Sequence, residues 1–181
     1  MPPVSQDEAL SLASKIKLVI FDVDGVLTDG RLFFGDDGQE YKAFHSRDGL
    51  GMKMLMRNGI DIAIITGRTS NVVQHRMKNL GIKHVYQGQL DKRPAFQEIL
   101  KKLNLGVDQV AYVGDDIIDL PVLSLAGFAV TVSDGHDFVK QHAHWITEHA
   151  SGQGAARDVC EFILEAQGKL EAEFINYLQP R

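Results

Sequence analysis

Five short apolar runs alternate along the chain with stretches of helical periodicity, and this alternation restricts the fold more than any other feature. The runs are KLVIF (17–21), IDIAIIT (60–66), KHVYQ (83–87), QVAYVG (109–114) and FAVTV (128–132). Helical patterns lie between or beside them at Gly49 to Arg57, behind Asp48 as a candidate cap, and at Ser70 to Leu80, Arg93 to Leu103 and Ile118 to Ala126. Runs that are apolar at almost every position belong to strands buried on both faces, as in parallel sheets covered by helices. The pattern predicts an α/β fold, a doubly wound parallel sheet of the Rossmann-like kind with right-handed crossovers. Ligands of such sheets collect beyond the carboxyl ends of the strands. Gly59, Gly81 and Gly127 stand where helices should stop. Ser5 and Glu8 have capping-box spacing, so a short helix over 6–14 is expected ahead of the first strand.

One segment breaks the alternation. Residues about 31–45, RLFFG, Asp36-Asp37-Gly38 and QEYKAFH, have the form of a β-hairpin around an Asp-Gly turn. Its apolar residues Leu32, Phe33, Phe34, Tyr41 and Phe44 suit either an assembly surface or a hairpin folded back on its own core. The carboxyl-terminal tail, about 151–181, opens with Ser151-Gly152-Gln153-Gly154, read as a flexible joint. An amphipathic helix bearing Val159, Phe162, Ile163 and Ala166 follows, and then a second helical piece over 169–178. A chain of 181 residues is sized for one domain, 1–181, with the hairpin as a projection.

The net charge of -5, with Lys and Arg scattered, argues against a nucleic-acid partner. A single cysteine, Cys160, cannot form an internal disulfide, which fits a reducing cytoplasm. The amino-terminal residues lack the basic and apolar run of a secretion signal, and no stretch is long enough to span a bilayer. A cytoplasmic protein with no membrane partner is the expectation.

Four strand exits carry the chemistry. KLVIF runs into Asp22-Val23-Asp24-Gly25, two carboxylates two residues apart where a strand gives way to a loop. At that spacing one carboxylate can attack phosphorus while the other reaches the leaving oxygen. Thr66-Gly67-Arg68 follows IDIAII and offers a hydroxyl and backbone amides to phosphate oxygens. Lys92 opens a helix after Gln89-Leu90-Asp91, where its ammonium can offset a carboxylate and a phosphate together. Gly114-Asp115-Asp116-Ile117-Ile118-Asp119 follows QVAYV, and its carboxylates repel one another unless a cation sits among them. Each feature alone also fits an ordinary turn, an Asp-rich helix start or a solvated lysine. Oxygen ligands beside a phosphate point to Mg2+, and no cluster of His or Cys suggests zinc. His45, His75, His142, His144 and His149 are read as surface or packing residues.

In this order, the four features resemble the four motifs of haloacid dehalogenase (HAD) superfamily phosphatases. The resemblance implies Asp22 as nucleophile and metal ligand, and Asp24 as general acid and base with its backbone carbonyl on the metal. It implies Thr66, Gly67 and Lys92 as phosphoryl-binding groups and Asp115 as the remaining metal ligand. Asp119 would orient that cluster and Asp116 support it through water. No cap domain fits between Asp24 and Thr66 or between Thr66 and Lys92. The closer resemblance is to the capless 3-deoxy-D-manno-octulosonate 8-phosphate phosphatases of lipopolysaccharide synthesis. It rests on DVDGVLTDG from Asp22, KAFHSRDGLGMKML from Lys42, IITGR from Ile64, YQGQLDK from Tyr86, YVGDDIIDLPVL from Tyr112 and GQGAARDVCEFILEAQGKL from Gly152. It implies a small sugar-acid phosphate as substrate, bound with help from Arg68 and Arg76. It also implies a homotetramer whose hairpins form a central barrel and whose neighbours complete each site, with the Gly-rich stretch and Arg157 as a mobile tail. A nonulosonate 9-phosphate as substrate, or a non-catalytic sugar-phosphate-binding subunit, are the alternatives.

Overall fold

The computed structural model describes residues 3–179; the outermost residues of the expected 1–181 domain lie outside them. Helix α1 (Gln6–Ala13) begins at Ser5, whose side chain accepts the Glu8 amide at 3.3 Å. Strand β1 (Leu18–Phe21) follows, and then the hairpin of β2 (Phe33–Phe34) and β3 (Glu40–Tyr41). The chain continues through α2 (Ser46–Arg57), β4 (Asp61–Ile65), α3 (Asn71–Leu80), β5 (His84–Tyr86), α4 (Arg93–Leu103) and β6 (Val110–Val113). It ends with α5 (Leu120–Leu123), β7 (Phe128–Thr131), α6 (Asp137–Lys140), β8 (Trp145–Ile146), α7 (Ala155–Ala166) and α8 (Leu170–Leu178).

Six strands form one parallel sheet in the order β5-β4-β1-β6-β7-β8, the doubly wound arrangement the alternation predicts. Strand β1 is apolar throughout because its side chains alternate between two cores. Val19 and Phe21 pack with residues of α1, α2, α3 and α7, whereas Leu18 and Ile20 pack with those of α4, α5 and α6. From β1 the chain first builds outward through β4 and β5, then returns to lay β6 against the other side of β1. That reversal opens a crevice at the carboxyl end of β1.

Several local expectations need correction. Helix α2 starts at Ser46, and Asp48 lies inside it. The Asp48 carboxylate instead accepts the Arg157 amide of α7 at 2.9 Å, serving a helix whose own N-cap, Gly154, has no side chain. The helix expected over Ile118 to Ala126 is a 3-10 turn at Ile117–Asp119 followed by the four residues of α5. The short elements α6 and β8 carry too little periodicity to be read from sequence. The Gly-rich joint is a turn bonded to neighbouring loops. Ser151 is buried, its amide and hydroxyl both bond Asp134 at 2.8 Å, and the Gly152 amide donates to Val26 O at 3.0 Å. Of the stretch expected as a mobile tail, Arg157 lies in helix α7, which packs into the core against α2.

The hairpin divides between its two expected fates. Leu32, Phe33, Phe34 and Tyr41 are exposed, while Phe44 at its foot packs against the main core. Among the described residues no helix is long and apolar enough to cross a membrane.

Candidate active site

The carboxyl end of β1 delivers Asp22 into the crevice, where its amide continues the sheet by donating to Val113 O of β6 at 3.0 Å. The chain then turns sharply, with the amides of Val26, Leu27 and Thr28 all donating to Val23 O. Gly25 makes that turn possible. Its φ is +86°, and a Cβ there would stand 2.1 Å from Asp115 Oδ2, so the first strand's loop and the carboxylate after β6 meet over bare backbone. One oxygen of Asp22 accepts the Val23 amide at 2.7 Å, and the other lies 2.8 Å from Lys92 Nζ.

Lys92 is 1 % exposed and also donates to Asp119 Oδ1 at 2.6 Å. Burial alone would push its pKa down, but the carboxylates of Asp22 and Asp119 reverse this and leave it raised. Asp119 is fully buried, with four donors on two oxygens. Lys92 and the Tyr112 hydroxyl reach Oδ1, each at 2.6 Å, and the amides of Asp115 and Asp116 reach Oδ2 at 3.0 and 3.3 Å. Its place is therefore to hold Lys92 and the loop after β6.

Asp22, Asp115 and Asp119 can each turn an oxygen to within 4.8 Å of the others. With Asp119 saturated, Asp22 and Asp115 remain open toward a cation. Burial, reinforced by Asp119, raises Asp22 to about 6 against the pull of Lys92. Burial, reinforced by Asp119 and Asp22, raises Asp115 to about 8. Carboxylates so crowded and dry are short of positive charge. An all-oxygen donor set in a cradle that a single Cβ would fill suits a small hard cation.

The remaining expected residues divide. Thr66, 2 % exposed at the end of β4, donates its amide to Tyr86 O at 3.0 Å, and Gly67 follows beside Ile118 and Leu90. Arg68 extends back toward Asp24, with Nε 3.9 Å from Asp24 Oδ2 and Nη2 3.1 Å from Glu40 Oε1. Arg76 lies over the Phe44 ring and beside Gly49, with Asn79 at 3.5 Å; none of these belongs to the carboxylate cluster. Asp116 accepts the Ile117 amide on its Oδ1 at 2.7 Å and adds its charge to those bearing on Asp115. His144, read as a packing residue, is buried and accepts the Ala129 amide at 2.9 Å.

Three residues of the site escaped the sequence reading. Lys42 donates to Asp24 Oδ1, Glu40 joins Lys42 to Arg68, and Tyr112 donates to Asp119. Tyr112 is hidden as one apolar letter in a strand. Glu40 and Lys42 do carry a signal, since their spacing puts both on one face of the returning hairpin strand. A depression of about 500 Å³ lined by Lys15, Lys17, Asp108 and Gln109 opens at the amino ends of the central strands, away from this chemistry.

The family described as haloacid dehalogenase-like hydrolase matches residues 83–158. The 3-deoxy-D-manno-octulosonate 8-phosphate phosphatase of Yersinia pestis is 47% identical over 165 residues, covering 91% of this chain and 88% of that protein. A probable yrbi family phosphatase from Pseudomonas syringae superposes with a TM-score of 0.95 at 50% identity, covering 98% of this chain and all of the other. A 3-deoxy-D-manno-octulosonate 8-phosphate phosphatase from Moraxella catarrhalis, solved with a magnesium ion, a phosphate ion and KDO, superposes with a TM-score of 0.93 at 43% identity. It covers 97% of this chain and is itself covered in full.

Proposed function

The chain belongs to the 3-deoxy-D-manno-octulosonate 8-phosphate phosphatase family of haloacid dehalogenase-like hydrolases, and from that premise we infer both its reaction and the residues that perform it. It is a Mg2+-dependent phosphoric monoester hydrolase that converts 3-deoxy-D-manno-octulosonate 8-phosphate into the octulosonate and inorganic phosphate, in lipopolysaccharide synthesis. One observation carries the reading: Asp22 leaves the central strand between Lys92 and the Asp115 carboxylate, an anionic nucleophile with cationic help on one side and a cation seat on the other.

We assign the attack on phosphorus to the Asp22 carboxylate, which displaces the sugar alkoxide and forms an aspartyl phosphate. Mg2+, held by Asp22, Asp115 and the Asp24 backbone carbonyl, supplies the charge neutralisation that phosphoryl transfer requires. Lys92 spreads positive charge over the same phosphoryl oxygens and keeps Asp22 ionised. The Thr66 hydroxyl and the Gly67 amide orient the phosphoryl group. Asp24 gives a proton to the departing oxygen and takes one from the water that cleaves the aspartyl phosphate. Asp119 holds Lys92 in place. The sugar acid's carboxylate is assigned to Arg68 and Arg76, guanidinium groups suited to paired oxygens.

No cap closes the site, and the exposed hairpin presents Phe33, Phe34 and Tyr41. A homotetramer joined through those hairpins, with neighbours walling each site, is the assembly we propose, and the cytoplasm is its proposed location. Phosphate release tests the reaction. Wild type should release phosphate from the octulosonate 8-phosphate with Mg2+, far faster than from a nonulosonate 9-phosphate or hexose phosphates. EDTA or Asp22→Asn should abolish it. Preference for a different ester would discard the substrate and leave the chemistry standing.

A further inference from the structure

Asp24 is tied to the hairpin. Its Oδ1 accepts a hydrogen bond from Lys42 Nζ, and the Lys42 side chain is 1 % exposed although it springs from the foot of a solvent-facing element. The same ammonium stands 3.2 Å from Glu40 Oε1, which also accepts Arg68 Nη2 at 3.1 Å. Glu40 in β3 and Lys42 just beyond the strand both turn inward, while Tyr41 between them is exposed.

An ammonium stripped of water is stable only where anionic oxygens compensate for the lost hydration, and here two do. The contact therefore restrains both partners: Lys42 cannot leave without setting two partly buried carboxylates against one another, and Asp24 cannot rotate without abandoning Lys42. Arg68 Nε, 3.9 Å from Asp24 Oδ2, is too distant for a hydrogen bond, so Oδ2 is the oxygen left for the reaction.

We infer that Lys42, braced by Glu40, is a positioning residue that holds Asp24 by Oδ1 and turns Oδ2 toward the oxygen that leaves phosphorus. The inference rests on Asp24 being the acid of the proposed reaction. It makes the hairpin part of the catalytic apparatus, since the strand that shows Tyr41 to solvent also sets the rotamer of Asp24.

The test compares Lys42→Met, Asp24→Asn and the double variant on two esters, the octulosonate 8-phosphate and p-nitrophenyl phosphate. The value of kcat/KM reports steps through phosphoryl transfer, so slow hydrolysis of the aspartyl phosphate does not obscure it. An alkoxide needs a proton to leave, whereas p-nitrophenolate leaves without one. Lys42→Met should lower kcat/KM on the sugar ester by about 30-fold or more, and on the aryl ester by a factor at least about ten times smaller. In the Asp24→Asn background the same substitution should cost less than about threefold, because coupled residues are not additive. Lys42→Arg should regain most of the sugar-ester activity.

Equal losses on both esters, or an undiminished loss in the Asp24→Asn background, would overturn the inference and make Lys42 a substrate contact or a hairpin anchor. If circular dichroism finds Lys42→Met unfolded, Lys42→Gln carries the same two comparisons. Wild type inert toward both esters with Mg2+ would instead defeat the phosphatase reading itself.

Discussion

The Lys92 ammonium stands 2.8 Å from Asp22 Oδ2 with the lysine side chain wholly out of solvent. It joins the exit of β1 to the start of α4, and through Asp119 to the turn after β6. Replacing it leaves two buried carboxylates facing each other. Lys92→Met should lower phosphate release by about 10²- to 10³-fold. In thermal or urea unfolding without metal it should cost about 3–5 kcal/mol. Mg2+ should restore part of the stability and little of the rate. A variant keeping a third of wild-type activity would remove Lys92 from the phosphoryl site.

Gly25 closes the distance between the β1 loop and Asp115. Gly25→Ala would meet both a positive φ and an oxygen 2.1 Å from its Cβ. Displacing Asp115 by an ångström is enough for a loss of about 10²-fold in kcat/KM. Titration of the metal should show weaker Mg2+ binding in parallel. Normal affinity with normal turnover would mean that the loop relaxes freely and that this close approach is dispensable.

Asp115 at about 8 and Asp22 at about 6 retain protons in the metal-free fold that the unfolded chain has already released. The stability these two groups contribute without metal is therefore fully present below about pH 4, falls as pH rises, and for Asp115 is lost once pH passes about 8. Mg2+ binds only ionised carboxylates, so its affinity should climb with pH up to about 8, by as much as tenfold per unit for each proton displaced. Calorimetry in buffers of different ionisation enthalpy measures the released protons directly. A pH-independent affinity between 6 and 8 would contradict the raised values.

Gly152 fits against the backbone of Thr28 and Asp29, where a Cβ would come within 2.6 Å of the Asp29 amide nitrogen, and its φ is +63°. The turn that carries it thus buttresses the loop that carries Asp24. Gly152→Ala should destabilise the fold by about 2 kcal/mol or more from conformation and crowding together. It should also lower kcat, with a smaller effect on KM. Unchanged unfolding and kinetics would show the two loops to be independent.

Phe33 and Phe34 are 50% and 59% exposed on a two-residue strand that pairs with β3, with the Arg68 guanidinium over the Phe34 ring. Sedimentation of the wild type should give a tetramer, and Phe33→Ser with Phe34→Ser should shift it toward smaller species with reduced turnover. A wild-type monomer at micromolar concentration would remove the shared-site proposal.

The sequence determined the layers and the strand exits. LVIF, DIAII, VAYV and FAVT are apolar on both faces, so each had to lie inside a helix-covered sheet, and Asp22, Thr66 and Asp115 follow strands by chain order alone. Periodicity and turn chemistry are local, and so they read correctly wherever an element is long enough to show its period. They fail where an element is short, as at α6 and β8, or where a polar group finds its partner far away, as Asp48 does at α7. Only the tertiary structure decided that Asp119 is saturated by four donors, that Asp116 caps the turn after β6, and that Lys42 rather than solvent meets Asp24. The physical reason is that charge pairing depends on distance and desolvation. Both are set when β1 is laid between β4 and β6 and the foot of the hairpin carries Lys42 to Asp24, bringing together residues that chain order keeps apart.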